Sequence, residues 1–285
     1  MKRILIQLDT DARPSVFDRV VAVDAGCEQL FSYGGITPEN VVPLIHGAIF
    51  TRGPQDLKST AIFVGGSQSD AGEAVLKKIT ESFFGPFRVS VMLDANGSNT
   101  TAAAAVQSVT HHLELNGAEA VVLGGTGPVG FRAAQLLALS GATVRVASRV
   151  LERAETACSK LRGLVEGAKV IPAEASDDGL AATLDGAQVL ISAGAAGVRF
   201  LTADEWRSLD TLKVLVDLNA VPPAGLEGVE PTDKGIERDG VICYGAIGVG
   251  GFKMKIHKAA IERLFAANDQ IFNTVTIHEI ASELS

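Results

Sequence analysis

Residue type and spacing specify chemistry most directly at Gly125-Thr126-Gly127-Pro128-Val129-Gly130. A G-x-G-x-x-G turn that follows a strand and opens a helix cradles a dinucleotide. Gly125 allows the tight turn, Gly127 lets the backbone approach a pyrophosphate, and Gly130 lets the helix pack closely on the strand. The pyrophosphate rests on unpaired N–H groups at the helix start, where Pro128 forfeits nothing. With thirty glycines in 285 residues, the spacing alone carries little weight, and the flanks decide. Residues 120–123 read as a buried strand, 131–140 as a helix stopped by Gly141, and 143–147 as a second strand. The motif therefore stands in the setting it needs.

The end of that second strand selects the nucleotide. A site for NAD places an acid there for the ribose hydroxyls, whereas NADP calls for a cation facing the 2′-phosphate. Here the strand ends Ala147-Ser148-Arg149, and the first acid is Glu152. Arg149 can fork onto a phosphate, Ser148 adds a hydroxyl, and Arg153 lies one helical turn on. NADP is the expected cofactor, with NAD as a weaker alternative. Two further strand-end turns, at Ala193-Gly194 and Asn219-Ala220, are cofactor-contact candidates because strand ends of an open parallel sheet face its ligand crevice.

Two polar stretches precede the glycine turn. Residues 9–15 (Asp9-Thr10-Asp11-Ala12-Arg13-Pro14-Ser15) hold several groups able to grip a polar ligand, Asp11 among them, although Ser15 also suits the cap of a helix. Residues 94–101 turn at Asn96-Gly97 and enter an alanine-rich helix at 101–112. One or two of Asn96, Ser98, Asn99 and Thr100 suffice for capping, and the excess points to a ligand. That helix leads from a first α/β domain into the nucleotide domain, which places its start at an interdomain cleft, where substrates bind.

The expected architecture is α/β with two domains. An N-terminal substrate domain spans 1–100 with the C-terminal helix of 268–285, and a Rossmann-type doubly wound parallel sheet spans 101–267. In the first domain, strands are expected at 2–8, 20–23, 48–51, 60–64 and 86–93, with helices at 37–44 and 70–83. Apolar residues make up 47% and charged residues 20%, ordinary for an α/β enzyme, and the net charge of −8 argues against nucleic-acid binding. Three scattered cysteines (Cys27, Cys158, Cys243) suggest neither disulfides nor a metal site. Without a signal-peptide pattern, or an apolar run near the ~20 residues of a membrane helix, a cytoplasmic protein is expected.

The segments DTDARPSVFD, FTRGPQ, STAIFVGG, FFGPFRVSVMLDANGSNTTAAAA, GGTGPVG, DLNAVPPAG and GAIGVGGFKMKIHKA, taken in order, resemble the methylene-tetrahydromethanopterin dehydrogenases over nearly the whole chain. The resemblance implies transfer of a hydride from the methylene group of tetrahydromethanopterin, or of tetrahydrofolate, to NADP, and assembly as a homo-oligomer. Such chemistry abstracts no proton, so the enzyme acts by orienting two rings and excluding water. By this similarity Lys253 belongs to the pterin site as the catalytic candidate, its ammonium bonded to the pterin carbonyl, with His257 nearby. Phe17 is placed as a wall of the pterin, and Asp18 with 96–100 as partners of its nitrogens. The bifunctional folate dehydrogenase–cyclohydrolases share this architecture but add a Tyr-x-x-x-Lys pair. Here Thr37 stands four residues after Tyr33 and Gly248 four after Tyr244, so no cyclohydrolase activity is expected. Rival readings are a shikimate-dehydrogenase-like NADP enzyme, which needs a Lys–Asp pair not evident here, and a non-catalytic NADPH sensor.

Overall fold

A computed structural model describes the backbone of residues 1–285 and every side chain except those of 177 and 178. The chain forms two units, one of Met1–Thr100 with Met254–Ser285 and one of Thr101–Lys253. The first opens with β1 (Ile4–Asp9), α1 (Val16–Asp24), β2 (Gln29–Tyr33), α2 (Val42–Ile49), β3 (Thr60–Gly65), α3 (Ser69–Glu81) and β4 (Ser90–Leu93), then enters α4 (Ser98–Thr110). The second contains β5 (Glu119–Leu123), α5 (Pro128–Leu139), β6 (Thr143–Ser148), α6 (Leu151–Leu164), β7 (Val170–Glu174), α7 (Asp177–Leu184) and β8 (Val189–Ser192). It continues through α8 (Ala203–Arg207), β9 (Val214–Asp217), β10 (Lys234–Arg238) and β11 (Val241–Gly245) into α9 (Ala246–Arg263). β12 (Ile271–Phe272) and α10 (Thr274–Glu283) complete the first unit.

The sheet of the first unit runs β12-β4-β3-β1-β2, all parallel. Ile6, Leu8, Ile62, Val64, Val91 and Leu93 point to one face and pack with Val41, Ile45, Val75 and Ile79 from the α2 and α3 side. In the second unit the order is β10-β11-β9-β8-β5-β6-β7, with only β10 antiparallel. Taken by position in the chain, its parallel strands read 3-2-1-4-5-6, the doubly wound order, and the direction of winding reverses between β5 and β8.

Several local expectations are corrected. Residues 20–23, read as a strand, lie in α1. There Val21 and Ala22 turn into the core while Val16, Val20 and Val23 face out, a 3.6-residue spacing that the valine run disguises. Residues 48–51 close α2 rather than form a strand, because Ala48 and Ile49 continue its buried face. α2 itself starts at Val42, later than the expected 37–44. β2, β10 and β12 were not anticipated. Residues 254–267, expected with the nucleotide domain, fall in the first unit. His257 stacks on Phe63, Lys258 pairs with Asp24, and the Arg3 guanidinium lies over the Phe265 ring.

Candidate functional site

The glycine turn sits at the switch point of the second sheet. Gly124 has φ +71°, and a Cβ there would lie 2.8 Å from Gly194, in the turn that leaves β8. The ends of β5 and β8 thus approach backbone to backbone. A Cβ on Gly130 would strike the Gly124 carbonyl oxygen, so α5 packs onto the turn as only glycine permits. Gly127 is the N-cap of α5, Pro128 follows, and no side chain caps the helix. Its first N–H groups therefore face outward as a ready anion site. Thr126 and Val129 complete the turn.

At the end of β6, Ser148 is buried, and its hydroxyl accepts a hydrogen bond from Val150 N at 3.3 Å, fixing the turn into α6. Arg149 and Arg153 are exposed on the same turn. After β8, Ala193 N donates to the Leu123 carbonyl at 2.9 Å, locking that turn beside the glycine loop.

The loop after β9 is organised by Asp217, which the sequence reading overlooked. This buried carboxylate accepts from Asn219 N at 3.1 Å and Leu226 N at 2.9 Å. Burial pushes the carboxyl upward, and the N–H groups of Leu226 and then Asn219 oppose that shift. Asn219 spends its amide on the same loop, donating to Pro223 O at 3.2 Å and accepting from Val221 N at 3.0 Å. Asn219, Ala220, Val221, Pro222, Arg199 and Glu230 line a cavity of about 280 Å³.

In the first unit, the turn from β4 to α4 is built around Asp94, another residue missed as a site former. Its Oδ1 accepts from Asn99 N at 2.9 Å and Thr100 N at 3.1 Å, and its Oδ2 accepts from the Thr100 hydroxyl at 2.6 Å. Ser98 donates to Ala95 O, while Asn99 donates to Leu93 O and accepts from Thr274. The polar excess of this turn is thus hydrogen-bonded within the protein, and Ser98, Asn99 and Thr100 are buried. Asn96 differs: it stands at φ +56°, in the left-handed region that asparagine tolerates.

The loop after β1 is framed likewise. Asp9, buried, accepts from Asp11 N and Ser15 N, while the Asp11 carboxylate accepts from both Ser67 N and its hydroxyl. Ser15 caps α1 through Asp18 N. The half-exposed Phe17 ring lies 6.3 Å from the His257 ring, and Phe63 stacks on His257 at 5.6 Å. His257 Nδ1 is 4.0 Å from Asp94 Oδ2, both side chains being fully buried.

Lys253 precedes His257 by one turn on a common face of α9. It lies mid-helix and is 9% exposed, not at the start of an exposed helix. The glycines before it divide into two kinds. Gly245 and Gly248 let the backbone pass against Glu230–Asp233, whereas a Cβ on Gly250 or Gly251 would meet nothing within 4 Å. Two glycines that no protein contact requires each cost roughly 1 kcal/mol of helix stability, and they leave the surface bare beside Lys253.

Residues 16–96 match the family described as methylene-tetrahydromethanopterin dehydrogenase, N-terminal. The bifunctional protein MdtA of Methylorubrum extorquens is 44% identical over 287 aligned residues, which cover 100% of this chain and 99% of that one. The NAD(P)-dependent methylenetetrahydromethanopterin dehydrogenase of the same organism is 35% identical, over 95% of this chain and 94% of its own. Among solved structures, the quinate dehydrogenase of Corynebacterium glutamicum in complex with NAD superposes with a TM-score of 0.50, covering 99% of each chain. At 13% identity it speaks for the fold alone.

Proposed function

The chain belongs to the methylene-tetrahydromethanopterin dehydrogenase family, and from that premise we propose that it oxidises methylene-tetrahydromethanopterin to the methenyl form with NADP. It is a nicotinamide-dependent hydride-transfer oxidoreductase of one-carbon metabolism. In the proposed reaction the methylene C–H bond breaks with both electrons leaving as hydride, and the two flanking nitrogens stabilise the resulting cation. No proton is abstracted, so no general base is required. The observation that carries the reading is the uncapped N-terminus of α5 at the switch point, with its glycine cradle. Bound nicotinamide supplies the hydride acceptor.

The residues divide the work as follows. Gly125–Gly130 and the start of α5 hold the pyrophosphate. Arg149, with Ser148 and Arg153, holds the 2′-phosphate and thereby selects NADP over NAD. Ala193, Gly194, Asn219 and Ala220 shape the crevice at the ends of β8 and β9. The first unit, together with Lys253, takes the carrier. Lys253 donates to the pterin carbonyl, Asp18 and Asn96 pair with ring and amino nitrogens, and Phe17 walls the ring. Asp11 and His257 position these groups: Asp11 ties its loop to Ser67, and His257 packs beneath Phe17. Three buried free cysteines suit a reducing cytoplasmic setting.

The test is nicotinamide reduction by pure protein in four pairings, NADP or NAD with methylene-tetrahydromethanopterin or methylene-tetrahydrofolate. NADP with the methanopterin carrier is expected to turn over fastest; turnover with NAD alone would discard the role of Arg149. Lys253→Ala is expected to lower turnover or carrier affinity by at least about tenfold, ~1.4 kcal/mol, with NADPH affinity unchanged. Hydrolysis of the methenyl form is expected to remain at the uncatalysed rate.

A further inference from the structure

The order of the second sheet decides where each half of a dinucleotide lies. On the NADP reading, the 2′-phosphate of the adenosine half sits at the end of β6 and the pyrophosphate at the glycine turn after β5. β8 and β9 stand on the other side of β5, in the order β9-β8-β5-β6. The nicotinamide half then lies over the loops that leave β8 and β9, residues 193–201 and 218–226. Both loops are irregular, so no ladder of backbone bonds along a helix or sheet holds them in place.

One carboxylate holds both. Asp217 is 2% exposed and pairs in register with Ser192 of β8. Its Oδ1 accepts from Asn219 N and its Oδ2 from Leu226 N, which draws the two ends of the loop after β9 together. Gly225 passes so close that a Cβ there would strike the Ser192 hydroxyl and the Asp217 carboxylate. The Gly225 carbonyl then accepts from Phe200 N at 2.7 Å and Leu201 N at 3.3 Å, and Leu201 bridges to Leu226. The loop after β8 is thereby tied to the same anchor. The Phe200 ring lies against Gly194, where a Cβ would collide with it, and Gly194 abuts Gly124. An unbroken series of contacts runs from Asp217 to the glycine turn.

We propose that Asp217 is a positioning residue for hydride transfer: it fixes both loops against the nicotinamide half of NADP without touching the cofactor itself. The proposal rests on the NADP reading above. A reaction that abstracts no proton gains its rate from the orientation of the two rings, so the walls of the nicotinamide site matter most. Asn219, Ala220 and Val221, on the loop so held, line the cavity beside it. Val221 is 51% exposed and offers a flat ring an apolar edge. The anchor must be a carboxylate rather than an amide. Two N–H groups converge on it, one at each oxygen, and an asparagine would turn its own N–H groups toward one of them.

The experiment titrates the full chain with two ligands, NADPH and 2′-phospho-ADP-ribose, which is NADP without its nicotinamide. Asp217→Asn is expected to weaken NADPH by at least about tenfold and 2′-phospho-ADP-ribose by less than about threefold. The emission of bound NADPH, which comes from the nicotinamide alone, is expected to move toward that of the free cofactor. Leu161→Ala opens a cavity under α6 and destabilises the same unit without touching either loop. It serves as the control and is expected to leave the ratio of the two affinities unchanged. If Asp217→Asn fails to fold, Phe200→Ala decides by the same comparison, because it keeps the carboxylate and removes the ring that meets Gly194. Equal weakening of the two ligands, or no weakening of either, would overturn the proposal. A wild type that binds neither ligand would overturn the NADP reading, and the proposal with it.

Discussion

Two turns do the same topological job in this chain and are finished in opposite ways. Each carries a parallel strand into the N-terminus of a helix, β4 into α4 through residues 94–98 and β5 into α5 through residues 124–128. At the first, Asp94 fills the helix start, accepting from two backbone N–H groups and a hydroxyl. At the second no side chain caps the helix, and the space a cap would occupy is bounded by glycines. A helix start already holding a carboxylate has no room for a second anion; an open one is an anion site awaiting its ligand. The contrast fits the chemistry of the two proposed ligands. A dinucleotide is gripped by its phosphates through backbone N–H groups. A pterin, whose head is polar but uncharged, needs side chains held at fixed positions, the part proposed for Lys253, Asp18 and Asn96.

The harshest way to break the contrast is at Gly130. Gly130→Ala drives a methyl into the Gly124 carbonyl oxygen. It is expected to abolish NADPH binding in a fluorescence titration or to prevent folding, a loss of more than ~4 kcal/mol. Next comes Asp94→Ala, which strands two buried N–H groups and a hydroxyl. About 3 kcal/mol of stability should go, with carrier affinity, while any folded fraction still binds NADPH; a parallel loss of NADPH binding would show that the two turns are not separable. Arg149→Ala is milder: the ratio of kcat/KM for NADP over NAD is expected to fall roughly tenfold or more, with little change for NAD itself.

The smallest effect is a pH dependence confined to the first unit. Burial holds the His278 ring of α10 below its ordinary value of 6.5, and its Nδ1 has no hydrogen-bond partner among the described residues. The unfolded chain therefore binds this proton first as pH falls. The stability is fully present above pH 6.5 and is lost as pH drops from there through the lowered folded value. Thermal melts at decreasing pH are expected to show the loss, and His278→Gln to flatten it. NADPH is expected to raise the transition of the second unit without removing this acid-side decline in the first.

The legibility of the sequence follows the same divide. The β5–α5–β6 region was readable because its pattern is local: strand, glycine turn, helix and strand follow one another directly, and Gly127 and Gly130 answer the Gly124 carbonyl a few residues back, although Gly124 itself meets Gly194. The protein partners of Ser98, Asn99 and Thr100 were not legible because they are not all local. Asn99 serves Thr274, and Asp94 lies against His257, positions far along the chain. Hydrogen-bonding groups in excess of a cap stand out in the sequence, but the partners that burial gives each of them inside the protein do not. The valines of α1 read as a strand because β-branched residues favour one, and only the burial of Val21 and Ala22 reveals the helical period. Nothing local announces β2, whose five residues become a strand through pairing with β1.

The discontinuity of the first unit has a consequence for the order in which the molecule is made. A ribosome delivers Thr101–Lys253 whole while the first unit still lacks Met254–Ser285. The nucleotide unit, second in the chain, is thus the first to have all its parts, and the unit that begins the chain is the last to close. Until β12 emerges, the uncharged β4 waits as an unprotected outer strand beside β3. Released chains truncated after Lys253 are expected to be competent to fold the second unit and to depend on chaperones for the other.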